Sequence, residues 1–125
     1  MREKESKMRS LALALIATWA LVGVSFAAQR TQTYSGEIMD STCAAMGSHE
    51  AMMKSNSNMK TPKDCTIACV QHGARYALFD AGTMTVYQLD DQKKPVPFAG
   101  AKVVVTGTLD PAMKMIHVAN IKAES

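Results

Sequence analysis

All three cysteines of the chain, Cys43, Cys65 and Cys69, and two of its three histidines, His49 and His72, fall between positions 43 and 72, with Met46, Met52, Met53 and Met59 among them. Thiolate, imidazole and thioether are soft or borderline donors, the kind that hold zinc or copper. Cys43, Cys65 and Cys69 with either His49 or His72 make a set of three thiolates and one imidazole. That set is a closed tetrahedral zinc site by type, with no position left for water. The neighbouring methionines make cuprous copper the other candidate, because thioether sulfur suits it as well.

The same cysteines admit a metal-free reading. One disulfide, Cys43 to Cys65 or to Cys69, would staple a small domain and add about 2 to 4 kcal/mol of stability, leaving the third thiol buried or joined to another chain. Spacing separates the two readings in part. Residues four apart on a helix have Cβ atoms about 5 to 6 Å apart, whereas a disulfide needs about 3.5 to 4.5 Å. Cys65 and Cys69 are therefore poorly placed to bond each other and well placed to share one ion.

Catalytic signatures are missing. The chain has no GxSxG elbow, GxGxxG loop, P-loop or HExxH pair, and its Cys-x-x-x-Cys spacing is neither the redox Cys-x-x-Cys nor a haem-attachment motif. Asp40, close to Cys43, would raise a thiol pKa rather than activate it. No enzyme activity is expected on these grounds.

The donors need elements to position them. Asp64 reads as the N-cap of a helix from Cys65 to His72, with Gly73 just past its end. At about 100 degrees per residue, Cys65, Cys69 and His72 share a face, and Ile67, Val70 and Ala74 lie opposite. The apolar face is expected to dock on a sheet, turning the cysteine face away from it toward the preceding segment. Residues 44 to 63 read mainly as loop, with one helical turn at 49 to 54. Asp40, Ser41 and Thr42 end a strand and can cap the segment after it.

Five strands are expected, by alternation and turn signals: 34 to 40, 75 to 80, 84 to 89, 102 to 109 and 115 to 121. Gly36 and Gly107 mark bends. Pro95 and Pro97 keep residues 90 to 100 out of a central strand. The fold is therefore mainly β: a small five-stranded antiparallel OB-like β barrel, or a curled sheet, with one short Cys-bearing helix inserted after the first strand. The expected core is Tyr34, Ile38, Tyr76, Leu78, Val86, Val103, Val105, Ile116 and Val118.

The N-terminus reads as a signal peptide. Arg2, Lys4, Lys7 and Arg9 precede an uncharged apolar run from 11 to 26, and Ser25-Phe26-Ala27 suits cleavage after Ala27. The chain is expected to be exported, periplasmic or secreted, with no membrane span after cleavage. Removing 27 of the 125 residues leaves 98, one domain from 28 to 125 with a Cys/Met/His-rich insertion at 41 to 73. Four of the 14 basic and two of the 11 acidic residues leave with the signal, so the remainder is nearly neutral and offers nucleic acid no electrostatic footing. An envelope protein is the partner class that export suggests.

Several spacings carry a resemblance: Gly36-x-Ile38-x-Asp40-Ser41-x-Cys43, Asp64-Cys65-x-x-x-Cys69, Gly73-x-x-Tyr76-x-Leu78, Val86-Tyr87-x-Leu89, and Phe98-Ala99-Gly100-x-Lys102-Val103-x-Val105-x-Gly107-Thr108-Leu109. Together they resemble a family of small exported bacterial proteins known as a domain of unknown function, over nearly all of the mature chain. The resemblance implies an OB-like barrel and a shared site of Asp40, Cys43, Cys65, Cys69 and Gly73. It implies no activity.

Overall fold

The computed structural model describes residue 23 and residues 29–125. The expected signal peptide, 1–27, lies outside the described residues apart from Gly23. Five strands carry the domain: β1 (Gln32–Asp40), β2 (Tyr76–Asp80), β3 (Thr85–Leu89), β4 (Lys102–Asp110) and β5 (Met115–Ala123). Three helices sit between β1 and β2: α1 (Ser41–Met46), α2 (Glu50–Ser55) and α3 (Pro62–Gln71). The strands close on themselves in the order β1-β2-β3-β5-β4, with β4 pairing back to β1.

The sheet is mixed, which corrects the expectation of a purely antiparallel one. β3 and β5 run parallel through the short register Gln88↔Met115 and Leu89↔Ile116, and the other four pairings are antiparallel. The parallel pair arises because the connection through Val96–Phe98 carries the chain across to β4 before β5 returns beside β3.

Strand β1 closes the ring by serving two neighbours. Its residues 32–37 pair with β4 and its residues 37–40 with β2. At the changeover sits Gly36, where a Cβ would lie 2.5 Å from the Phe79 carbonyl oxygen, so only glycine lets the two backbones come this close. Gly107 plays the same part in β4: the register shifts between Thr106 and Gly107, and a Cβ there would sit 2.2 Å from the His117 carbonyl oxygen.

Period-two alternation divides the apolar residues between two cores. Ile38, Tyr76, Leu78, Leu89, Val103, Val105 and Ile116 fill the interior, with Tyr34 and Val118 partly buried against them. Met39, Ala77 and Phe79 point the other way and form a second cluster with Cys43, Ala44, Met59, Cys65 and Cys69. Val86, expected in the barrel core, packs against this second cluster instead, because it pairs with Phe79 and shares its outward face.

The insertion holds three helices where one was expected. Asp40 starts α1, accepting from the Cys43 N–H, and Gly47 ends it at φ 78. Exposed α2 buries no residue and carries a Glu50–Lys54 ion pair one turn apart. Helix α3 begins three residues before the expected start. Thr61 is its N-cap, Pro62 takes the first position, and Asp64 is the reciprocal member of a capping box. Both ends of the insertion meet at the barrel rim, where the Ser41 N–H donates to the Arg75 carbonyl (2.8 Å) and the Arg75 N–H to Ser41 Oγ (3.1 Å).

Candidate metal centre

Four buried side chains, each from a different stretch of the chain, converge. One ligand atom from each of Asp40, Cys43, His49 and Cys65 lies within 4.8 Å of the others. Asp40 ends β1, Cys43 stands in the first turn of α1, His49 precedes α2, and Cys65 is in the first half of α3. The Cys43 and Cys65 Sγ atoms are 3.5 Å apart, and all three cysteines are free thiols. Two sulfurs bound tetrahedrally at about 2.3 Å would stand about 3.8 Å apart, so the pair already has the spacing of co-ligands.

The unsatisfied atoms at this point are informative. Asp40 is 0% exposed, and one of its oxygens, Oδ2, accepts from the Cys43 N–H at 2.9 Å. The other, Oδ1, is buried without a partner. No lysine or arginine pairs with this carboxylate among the described residues. His49 is divided in the same way. Its Nε2 lies 2.8 Å from Glu37 Oε2, so Nε2–H donates to that carboxylate, and neutral imidazole then has a bare lone pair on Nδ1. Nδ1 too is buried and unpartnered. A buried acceptor without a donor costs about 1 to 3 kcal/mol. A cation among Oδ1, Nδ1 and two sulfurs would satisfy all of them.

Glu37 completes a pattern seen around metals, in which the ligating histidine gives its other ring N–H to a carboxylate that fixes its tautomer and orientation. Strand geometry supplies it. Glu37 and Met39 point outward from β1, and the insertion folds back over that face.

Burial above all keeps the ion-free Cys43 and Cys69 thiols protonated. Burial, then the hydrogen bond with Cys65, then the Asp40 carboxylate push the Cys43 thiol far above its ordinary range. Burial, followed by the charges of Asp40 and Cys65, pushes Cys69 up to about 11. Metal uptake here must therefore displace protons.

The structure divides the five expected ligands. Cys43, His49 and Cys65 come together. Cys69 is buried beside them, facing Cys65 and Asp40, but is not one of the four mutually close donors. His72 is exposed at the C-terminal end of α3, on a separate hollow. The cysteine face of α3 is not turned away from the sheet as expected. It belongs to one buried cluster with Met39, Ala77 and Phe79 of the sheet and with Cys43, Ala44 and Met59 of the insertion, while Ile67 and Val70 pack against the barrel core.

Two residues do not declare themselves as metal-site groups by their chemistry in the sequence. Asp40 reads there as a cap and a thiol neighbour, and Glu37 as a strand residue. An acid three positions before a cysteine at a strand end is the available signal for Asp40. Nothing local marks Glu37 as the partner of His49. Comparison of the chain with family models, curated proteins and solved structures gave no match.

Proposed function

We propose that this protein is an exported small domain that holds one zinc ion through Asp40, Cys43, His49 and Cys65. The observation that carries the reading is the orphaned pair of buried acceptors, Asp40 Oδ1 and His49 Nδ1, beside two thiols 3.5 Å apart. Two thiolates, an imidazole and a carboxylate suit zinc, whereas the carboxylate is a poor donor for cuprous copper. Four protein donors leave no open position, so the ion braces the insertion against the barrel rather than activating water. The barrel is read as OB-like, a five-stranded closed sheet that positions an inserted loop. Export through residues 1–27 to the periplasm or beyond, and an envelope protein as partner, belong to the same reading and rest on the sequence alone.

The experiment is a native mass spectrum of the mature chain purified without chelator, with a zinc-chelator competition on Asp40→Asn and His49→Ala. One zinc per chain, lost in both variants, supports the proposal. Reduced protein that binds zinc no better than micromolar would sink it.

The 3.5 Å approach of Cys43 and Cys65 also favours a second reading, a metal-free staple in which these two form a disulfide in an oxidising compartment. A mass two hydrogens below that of the reduced chain, with Cys69 the sole alkylatable thiol, would select it.

A further inference from the structure

A second group of soft donors lies outside the four-residue centre. A hollow of about 320 Å³ beside the C-terminal half of α3 is lined by Met52, Met59, Cys69 and His72, with Thr42 and Asn56 among its other walls. Met59 and Cys69 are nearly buried, at 7% and 6% exposure, Met52 is half-buried, and His72 is exposed. The donors thus run from an inner pair of sulfurs outward to an imidazole. Cys69 and His72 are three apart in sequence and share a helix face, about 5 to 6 Å between Cβ atoms. Met52 and Met59 come from α2 and the segment after it.

Methionine is a good gap filler, and packing alone explains the burial of Met59. It does not explain why two thioethers, the one thiol outside the four-residue centre and an imidazole line the same hollow. No carboxylate lines it, so it lacks the hard donor that Asp40 gives the other site. Thioether, thiolate and imidazole without a carboxylate favour a soft monovalent cation over zinc.

We propose that this hollow is a second metal site, taking cuprous ion through Cys69, Met52, Met59 and His72. Binding exchanges the Cys69 S–H proton for the metal: one S–H bond breaks, one Cu–S bond forms, one proton leaves to solvent, and copper stays Cu(I). It shares no ligand with the four-residue centre, but Cys69 touches Cys65 and Asp40 there, so the proposal rests on the zinc reading, which leaves Cys69 as the thiol outside the occupied centre.

The test is a cuprous titration of the zinc-supplied mature chain under reductant and without oxygen, against a chromophoric cuprous chelator, with zinc counted in the same samples. Wild type should take up one Cu(I) per chain while keeping its zinc. Met52→Leu and His72→Gln, both at positions that tolerate the change, should each weaken cuprous affinity about tenfold or more, and the double variant should lose the Cu(I) with zinc content unchanged. Should the protein hold no zinc, the zinc reading fails by itself, and the cuprous comparison is made in a folded Cys43→Ser, Cys65→Ser background, where no other thiol competes for Cu(I). The proposal is overturned if Cu(I) does not bind, if it displaces zinc one for one, or if the folded double variant binds it as wild type does.

Discussion

Asp40 does two jobs with its two oxygens, and they can be separated. Oδ2 caps α1, and Oδ1 is buried without a partner and so free for the candidate ion. Asparagine caps a helix about as well as aspartate, so Asp40→Asn should leave metal-free stability within about 1 kcal/mol of wild type. Zinc affinity should fall by tenfold or more, read by chelator competition. Glu37→Gln tests the support of His49: the fold should persist and zinc affinity should drop about 10- to 100-fold. Cys69, together with the more strongly raised Cys43, contributes the thiol part of the pH dependence of the metal-free, reduced protein. Its folded pKa of about 11, raised chiefly by burial, lies above the ordinary thiol value. The unfolded thiol therefore loses its proton first, so the stabilisation is complete below about pH 9 and fades as pH climbs toward about 11. Denaturant midpoints across that window should decline in wild type and less steeply in Cys69→Ala.

At the scale of elements, α3 depends on its start. The capping box of Thr61 and Asp64 satisfies N–H groups that the helix leaves open, and Thr61→Ala should cost about 1 kcal/mol, with faster amide exchange in the first turn as its local mark. Gly107→Ala is expected to be harsher. Its new Cβ would collide with the His117 carbonyl at 2.2 Å, and the backbone cannot yield without breaking the β4–β5 register. A loss of more than about 2 kcal/mol in chemical unfolding is expected. These elements differ in how well the chain announces them. The five strands are legible because alternating residues such as Ile38, Leu78, Val103 and Val105 face one core. Helix α1 is not, since the short run Ser41–Met46 gives no period, whereas α2 lies on the helical turn read at 49 to 54, one residue later than expected. The start of α3 is easily misplaced because Asp64 is a good cap by type, whereas Thr61 with Pro62 after it is the better pair. The parallel β3–β5 contact, two residue pairs long, results from closure of the whole ring and has no local sign. At the site, Cys43, His49 and Cys65 are legible from donor type alone. Asp40 reads by its own chemistry as a cap, and the family resemblance is what marks it as a site residue; His72 lies exposed on a separate hollow at the end of α3.

For the whole molecule, the two cores share α3. Its Ile67 and Val70 touch the barrel interior while Cys65 and Cys69 belong to the outer cluster. An ion that locks the outer cluster should therefore stabilise the entire domain. With free zinc at about 100 times its dissociation constant, the gain is about 2.7 kcal/mol, or on the order of 10 to 20 °C in melting temperature for a domain of this size. Chelator should remove the shift, and scanning calorimetry should still show a single transition. The hydrogen bonds that join Ser41 to Arg75 have a different consequence. They bring the two ends of the helical segment to one point, directly beyond the last β1–β2 pair, Asp40↔Tyr76. In chain-path terms, β1 and β2 are a hairpin whose turn has been replaced by a cassette that carries most of the candidate metal donors. With its two ends pinned together there, the cassette's own length is set apart from the β1–β2 register beneath it.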